Sequence, residues 1–361
     1  MFPRLNVNLK KLRENLDAVA KLTTDQGGCS LMIVTKGMCA DRELVNILLE
    51  DSRVGYLADA RVKNIKTYYK EARSKGKSTV LLRLPMDCEI EDIVECVDVS
   101  FNSEISTIKL LNDEAERQGK IHKILLMIDL GDLREGLFYK EEGKIFDTAS
   151  EILKLKNIEL FGVGVNLTCY GAIIPKNENL SALVDIAEKI ERKFNVALKM
   201  RSGGNSSSLY LIWEGRFPAG INNLRIGEAF LLGNDTAYSG DVPGTVRDAF
   251  ILEAKIIELQ EKPSVPIGEA GIDGFGNKPR YEDRGIIKRA ILAVGKQDID
   301  PDSLLPLDKN IDVLGASSDH MLLDVTKSDK GYKVGDVIGF ELKYSGLLKA
   351  VTSGYVERVY I

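Results

Sequence analysis

Short apolar stretches alternate with amphipathic stretches over the first two thirds of the chain. Eight of the apolar stretches have the length of strands and most are rich in β-branched residues, at 30–35, 54–58, 79–84, 97–101, 124–130, 158–165, 197–201 and 223–226. Between them, apolar residues recur with the period of a helix, for example at 41–50, 60–75, 104–118, 141–155 and 180–194. Eight strands that alternate with helices predict a (β/α)8 TIM barrel, an α/β fold.

The main competing architecture for this region is a doubly wound open sheet. That fold would have fewer strands and a G-x-G-x-x-G turn after its first strand, a motif that the sequence lacks there. After Gly233 the pattern changes to strand-like runs separated by Gly, Pro and Asp, at 251–259, 286–294, 311–314, 321–325, 337–342 and 354–360. We therefore expect two domains, a barrel at 1–235 and a C-terminal, mostly antiparallel β domain at 236–361.

Composition narrows the class of protein. The 361 residues are 44% hydrophobic and carry a net charge of -5, with basic and acidic residues interspersed, which argues against nucleic acid or an anionic membrane as the main partner. The five cysteines have no metal-ligand spacing, and their odd number gives no disulfide framework. The start of the chain has no signal-peptide pattern, and no apolar run approaches the roughly 20 residues of a membrane span. These features predict a cytoplasmic protein.

The candidate chemistry begins with Lys36, which follows the apolar run SLMIVT. Desolvation at the end of a buried strand lowers the pKa of a lysine towards neutrality, and a partly neutral amine can attack an aldehyde. The alternative is a lysine that extends its ammonium to water. In a barrel, reactive residues lie at the C-terminal ends of strands, which is where Arg134, Asn166, the stretch GGNSSS at 203–208 and Arg225 also fall. Singly, they could be a surface ion pair, a turn former, a flexible loop and a packing residue; together they favour one site.

Three features of this rim point to one cofactor, pyridoxal 5'-phosphate. Glycine amides and serine hydroxyls near Asn205-Ser206, together with Gly227, would bind the phosphate. Lys36 would hold the aldehyde as a Schiff base. Arg225 would face the pyridine nitrogen and, because an arginine keeps its protons, would leave that nitrogen unprotonated. The cofactor is then a weaker electron sink, which suits brief removal and return of an α-proton.

The same segments resemble the alanine racemase class of pyridoxal phosphate enzymes, fold type III, and the resemblance runs nearly end to end. VTK at 34–36 resembles the segment with the cofactor lysine. IDLGDLREG at 128–136 is similar to the motif IDTGMGRLG, whose arginine contacts the phenolic oxygen of the cofactor, and that role passes to Arg134. NS at 205–206 resembles the family's phosphate-binding pair. RIG at 225–227 resembles RPG, whose arginine faces the ring nitrogen and whose glycine helps to bind phosphate.

The resemblance also implies a homodimer with shared active sites. Asp319, in Ser318-Asp319, falls where the family has MD, which lines the substrate pocket from the partner subunit, and Tyr344 is similar to a tyrosine near the phosphate. Two family tyrosines are missing. Ala40 stands four residues after the lysine, and SVPIG at 264–268 replaces the SYG that supplies the opposite-face base. His320 is a candidate for that role because its unperturbed pKa lies near neutrality.

The substrate is expected to be ornithine, interconverted between its L and D forms. GDLREG, NLRIGE and GASSDH look most like the ornithine racemase branch. The distal ammonium of ornithine requires a carboxylate, for which Asp319 is the first candidate and Glu228 the second, although Asp319 could equally be a turn carboxylate.

Other functions stay open from the sequence alone. They are a racemase of alanine, of lysine or of broad specificity, a pyridoxal lyase such as a D-threonine aldolase with a metal in its β domain, and a non-catalytic pyridoxal carrier.

Overall fold

The computed structural model describes residues 1–278 and 280–361, and the chain divides into two compact units. The barrel unit is Leu12–Val246, and the β unit is Met1–Lys11 together with Arg247–Ile361. This division differs from the expected boundary after residue 235. The first strand, β1 (Arg4–Val7), pairs antiparallel with residues 250–253 and parallel with residues 357–360, so the N-terminal segment belongs to the β unit.

The barrel unit, in which every residue is described, is a closed barrel of parallel strands. The order around it is β5-β4-β3-β2-β10-β9-β8-β6, and pairing of β5 with β6 closes the ring. A two-residue strand, β7, pairs with the end of β6. The strands are β2 (Ser30–Val34), β3 (Val54–Asp59), β4 (Ser78–Leu81), β5 (Val99–Asn102), β6 (His122–Asp129), β7 (Leu137–Phe138), β8 (Ile158–Gly164), β9 (Met200–Ser202) and β10 (Asn223–Ile226). The predicted (β/α)8 barrel is confirmed.

Helices connect successive strands because amphipathic segments of the right length lie between them. In α2, for example, the side chain of Asp41 accepts hydrogen bonds from the amides of Glu43 and Leu44 and so caps the first turn. The helices are α1 (Leu9–Ala20), α2 (Arg42–Glu50), α3 (Val62–Ile65), α4 (Tyr69–Ser74), α5 (Ile90–Cys96), α6 (Ile105–Arg117), α7 (Glu142–Ile152), α8 (Asn177–Phe194), α9 (Tyr210–Trp213), α10 (Glu228–Leu232) and α11 (Tyr344–Thr352). None of the helices in the described residues combines the length and apolar composition that a bilayer crossing requires.

Alternate residues of the strands fill the interior of the barrel, as the two-residue period of a strand requires. At one point two strands approach so closely that only glycine fits: a Cβ on Gly162 would lie 1.9 Å from the carbonyl oxygen of Met200. The buried interior cluster consists of Met32, Val34, Ala58, Val80, Val99, Phe101, Leu125, Met127, Phe161 and Met200. This packed interior leaves the C-terminal ends of the strands as the place for a site.

The β unit contains a mostly antiparallel sheet with the order β13-β16-β11-β12-β15-β14, in which β1 also pairs with β11 and β17 pairs with β1. Its strands are β11 (Phe250–Pro263), β12 (Ile286–Leu292), β13 (Leu304–Pro306), β14 (Asp312–Ala316), β15 (Met321–Asp324), β16 (Val337–Leu342) and β17 (Glu357–Tyr360). The expected antiparallel arrangement is therefore present. Sequence patterns missed β1, β13 and helix α11.

Candidate active site

Lys36 lies just beyond the end of β2, at the first position of a 3-10 turn, Lys36–Met38. The residue is exposed, whereas Thr35 before it and Gly37 after it are buried. The apolar run led us to expect a desolvated lysine, and that expectation is not met because the Lys36 side chain is exposed. The strand ends at Val34, so the lysine is at the open mouth of the barrel and not within the sheet.

Arg225 is buried in β10, with only 4% of its surface exposed. Its Nη1 donates to Ser202 Oγ at 2.9 Å and its Nη2 donates to the carbonyl oxygen of Val165 at 2.8 Å. The guanidinium also lies over the ring of Phe101, with 5.2 Å between Cζ and the ring centroid. Desolvation lowers the pKa of Arg225 to about 10. The side chain therefore stays charged at neutral pH, although the oxygens that it contacts are neutral.

Asn166 and Arg134 extend this polar cluster towards solvent. With its side-chain oxygen directed at Arg134, Asn166 accepts from the two terminal nitrogens of that guanidinium at 3.2 and 3.1 Å. Arg134 is also paired with Glu135, its neighbour in sequence. The surface ion pair that was the alternative explanation of Arg134 is thus present, and so is a contact with the predicted site residue Asn166.

The loop after β9 collects hydrogen-bond donors suited to an anion. Asn205 caps the 3-10 turn Ser206–Ser208, its Oδ1 accepting from the amide of Ser207 at 2.9 Å. The Oγ of Ser206 accepts from the amides of Gly227 and Ala229 at 3.3 and 3.2 Å, so a hydroxyl and two amides meet at one point. The Oγ of Ser207 is buried without a hydrogen-bond partner among the described residues. This donor set fits a phosphate group.

Glu228 follows Gly227 and lies within electrostatic range of Lys36. Burial raises the pKa of the Glu228 carboxyl, and the hydrogen bond from Asn234 and the charge of Lys36 partly oppose that rise. A carboxylate in such a place can accept a cation, either that of Lys36 or that of a ligand.

Three of the predicted site residues belong to the β unit. Asp319 and His320 lie in the exposed turn between β14 and β15, where Ser318 Oγ donates to Asp319 Oδ2 at 2.7 Å. Tyr344 begins helix α11. The turn geometry of Asp319 is the alternative that the sequence left open, and it does not preclude a role in binding.

Sequence reasoning missed two side chains of the cluster. Ser202, the last residue of β9, accepts from Arg225 and donates to Asn223 Oδ1 at 2.6 Å. The strand was expected to end one residue earlier, and a polar residue at the end of a barrel strand was the available signal. Cys169 Sγ lies 3.5 Å from Asn205 Nδ2, and nothing in the local sequence marked this contact. Among the described residues, no group of three or more His, Cys, Asp or Glu side chains could hold a metal ion.

Comparison with known families identifies this arrangement. The family model for the alanine racemase N-terminal domain matches residues 7–235. The chain belongs to this family. It is 51% identical over 358 residues to an ornithine racemase of Acetoanaerobium sticklandii, covering 99% of each chain. It is also 41% identical over 361 residues to a lysine racemase of Thermotoga maritima, covering 100% of this chain and 99% of that one.

Solved structures show the same fold at low sequence identity. An alanine racemase of Clostridium difficile superposes with a TM-score of 0.72 at 21% identity, covering 99% of this chain and 95% of that chain. An alanine racemase of Bartonella henselae, solved with covalently bound pyridoxal phosphate, gives a TM-score of 0.71 at 15% identity and 99% coverage of both chains. These structures establish the fold of this family member and not its substrate.

Proposed function

We propose that this protein is an amino acid racemase that interconverts L- and D-ornithine with pyridoxal phosphate as its cofactor. The observation that carries the proposal is the 51% identity to an ornithine racemase over 99% of both chains. The similarity to a lysine racemase also supports a diamino acid substrate, because lysine and ornithine are both diamino acids. The residues at the barrel mouth supply the chemistry that such a reaction needs.

The fit to the cofactor rests on the donor set at the mouth. Ser206 Oγ, the amides of Gly227 and Ala229 and the turn capped by Asn205 would hold the phosphate, and the buried Oγ of Ser207 is a further donor in the same turn. Lys36 would hold the aldehyde carbon. Pyridoxal phosphate, when bound, supplies an electron sink that makes the α-proton of an amino acid acidic.

Several residues of the chain have separate roles in the transfer of the α-proton. The amine of Lys36 removes or returns the α-proton on one face of the substrate. Arg225 keeps its proton at neutral pH, because its pKa is still about 10 after burial, and it would donate to the ring nitrogen of the cofactor without protonating it. Arg134, held by Asn166, would contact the phenolic oxygen of the cofactor. His320 is the candidate acid/base for the opposite face.

Specificity for a diamino acid requires an anion for the distal ammonium. An unpaired buried ammonium costs several kcal/mol, so a pocket without a carboxylate would reject ornithine in favour of alanine. Glu228 shares the barrel unit with Lys36 and is partly buried, and Asp319 is the candidate from the β unit. We propose that one of these two carboxylates receives the ammonium.

A substrate profile tests the function. The purified protein with pyridoxal phosphate is given each enantiomer of ornithine, lysine, serine and alanine, and the enantiomeric ratio is followed by chiral chromatography. We expect kcat/KM to be highest for ornithine, with both enantiomers converging on a racemate. Equal turnover of alanine and ornithine would contradict the diamino acid proposal, and aldol cleavage without racemisation would contradict the reaction type.

We further propose a homodimer in the cytoplasm, where the five free cysteines stay reduced. In the dimer, Asp319 of one subunit lies in the active site of the other and meets Lys36 there. Mixing two inactive variants, Lys36→Ala and Asp319→Ala, should restore part of the activity through hybrid dimers that contain one intact site. Subunit exchange that is demonstrated by mass spectrometry but restores no activity would exclude shared sites.

A further inference from the structure

The turn that carries Lys36 has a strained backbone. Cys39 and Ala40 both have φ of +51°, a left-handed conformation that costs a residue other than glycine about 1–2 kcal/mol. Such a conformation persists only where the surrounding structure fixes it. Contacts with neighbouring groups must therefore hold residues 35–40 in place.

Thr35 is the anchor of this turn. Its carbonyl oxygen accepts from the amides of Met38 and Ala40, at 3.1 and 3.2 Å. Its own amide donates to the carbonyl oxygen of Ala58 in the neighbouring strand β3, at 2.7 Å. The backbone on both sides of Lys36 thus depends on where Thr35 is held.

Asp59, the last residue of β3, holds the side chain of Thr35. Thr35 Oγ1 donates to Asp59 Oδ2 at 2.6 Å, and the Asp59 residue has no exposed surface (0%). The carboxylate also accepts from the amide of Arg61 at 2.8 Å and from Asn64 Nδ2 at 3.1 Å. Burial raises the pKa of Asp59, so placing a carboxyl group here carries a cost that these donors offset.

We propose that Asp59, acting through Thr35, is a positioning residue that fixes the location of the Lys36 amine at the barrel mouth. This inference rests on the proposed role of Lys36. A competing explanation is that Asp59 serves only to start helix α3, since Arg61 and Asn64 lie at the beginning of that helix. The two explanations differ at Thr35, which has no part in α3.

The test replaces Thr35 by valine, which has the same shape without the hydroxyl, and by serine, which keeps the hydroxyl. We expect Thr35→Val to lower kcat and the rate of covalent cofactor attachment to the apoprotein at least about tenfold, because small misplacements of a reacting group are costly. KM should change less than about twofold, since the substrate-binding residues are untouched. Thr35→Ser should restore both rates to within about twofold of wild type.

A double-mutant cycle tests whether Asp59 acts through Thr35. Asp59→Asn should cause a similar loss, and the double variant Thr35→Val, Asp59→Asn should lose no more than the worse single variant. Losses that multiply, or a Thr35→Val enzyme with wild-type kcat and attachment rate, would overturn the inference in favour of a purely structural role.

A third measurement does not depend on the cofactor. Hydrogen exchange of the Met38 and Ala40 amides in the apoprotein should speed up in Thr35→Val and not in Thr35→Ser, because both amides bond to the Thr35 carbonyl oxygen. Unchanged exchange would also overturn the inference. A wild-type protein that neither binds the cofactor covalently nor racemises would refute the proposed function, and this exchange result would still be interpretable.

Discussion

Arg225 and His122 are buried basic side chains at opposite ends of the barrel, and burial has opposite consequences for their charges. Arg225 lies near the C-terminal end of β10 with 4% of its surface exposed, and His122 begins β6 at the other end with 3% exposed. Desolvation lowers the pKa of both, to about 10 for Arg225 and about 4 for His122. At pH 7 the arginine is charged and the histidine is neutral.

The immediate neighbours of the two groups are similar, so the residue type decides the outcome. His122 Nε2 lies 2.8 Å from Ser100 Oγ, and Arg225 Nη1 lies 2.9 Å from Ser202 Oγ. No carboxylate is needed to keep Arg225 protonated, because its pKa of about 10 still lies well above neutral pH. At pH 7 the mouth therefore contains a cation at Arg225, whereas His122 at the other end is a neutral packing group.

The largest loss of activity is expected when Lys36, at the mouth of the barrel, is replaced. Lys36→Ala should lower ornithine racemisation at least about 10⁴-fold, because no other group replaces the amine. The same variant should lack the visible absorbance of the covalently bound cofactor. Since Lys36 is exposed, the melting temperature of the apoprotein should stay near that of wild type.

Lys109→Ala is the matched control for this change, because Lys109 is exposed on α6 and pairs with Glu151 at the surface. It should keep full activity and absorbance. Cofactor that remains covalently attached in Lys36→Ala would show that another lysine carries it.

The second effect tests whether the charge of Arg225 matters. Arg225→Glu should slow racemisation by about 10²–10³-fold and increase the share of turnovers that end in transamination, since a carboxylate beside the ring nitrogen permits its protonation. The ratio of keto acid to racemised product measures this. Arg225→Lys, which keeps a cation, should leave the ratio near that of wild type; an unaltered ratio in a folded Arg225→Glu enzyme would indicate a packing arginine.

The third effect separates the two carboxylates proposed for the substrate. Glu228→Gln and Asp319→Asn change charge and little else. Substitution of the carboxylate that receives the distal ammonium should lower kcat/KM for ornithine about 10–100-fold. The kcat/KM for alanine should hardly change. A variant that loses ornithine and alanine activity equally has lost something other than an ammonium partner.

The smallest effect on activity is expected for His122 at the other end of the barrel. Its titration should change the free energy of unfolding instead. The folded-state pKa of His122, about 4, lies below its ordinary value of 6.5, so the unfolded chain takes up a proton first as the pH falls. Stability is therefore lost between pH 6.5 and 4, by about 3 kcal/mol for this residue alone.

Urea unfolding of wild type and His122→Gln at pH 7, 5.5 and 4.5 measures that loss. The difference between the two proteins should shrink as the pH falls, since glutamine has no proton to take up. Both should racemise ornithine equally at pH 7. Parallel stability curves would show that His122 does not titrate in the unfolding transition.

Much of the barrel followed from local sequence because each strand is a short apolar run with clear ends. The strand expected at 223–226 is β10 residue for residue. Strand β1 was missed because four residues near the N-terminus carry little periodicity, and they form a strand only through partners more than 240 residues away. The expected boundary after residue 235 also differed, because residues beyond it bond to the barrel unit: the amide of Val242 donates to the carbonyl oxygen of Gly233, and the amide of Val246 donates to Asn15 Oδ1.

The candidate site divides in a similar way. The residue types at the strand ends, among them Lys36, Arg134, Asn205 and Arg225, could be read from the sequence, since a barrel places such ends on one rim. The exposure of Lys36 could not, because a difference of one residue in where β2 ends decides whether its side chain lies in the sheet or beyond it.

The sequence by itself determined the period of the strands and helices, the closed parallel barrel that they imply and the residue types available for chemistry. Only the tertiary structure decided that Arg225 donates to Ser202 and Val165, that Ser206 joins Gly227, and that Asp59 holds Thr35. The physical reason is that these partners lie 21 to 60 residues apart in the chain. Local propensity carries no information about contacts at that separation, which exist only once the strands have closed into a ring.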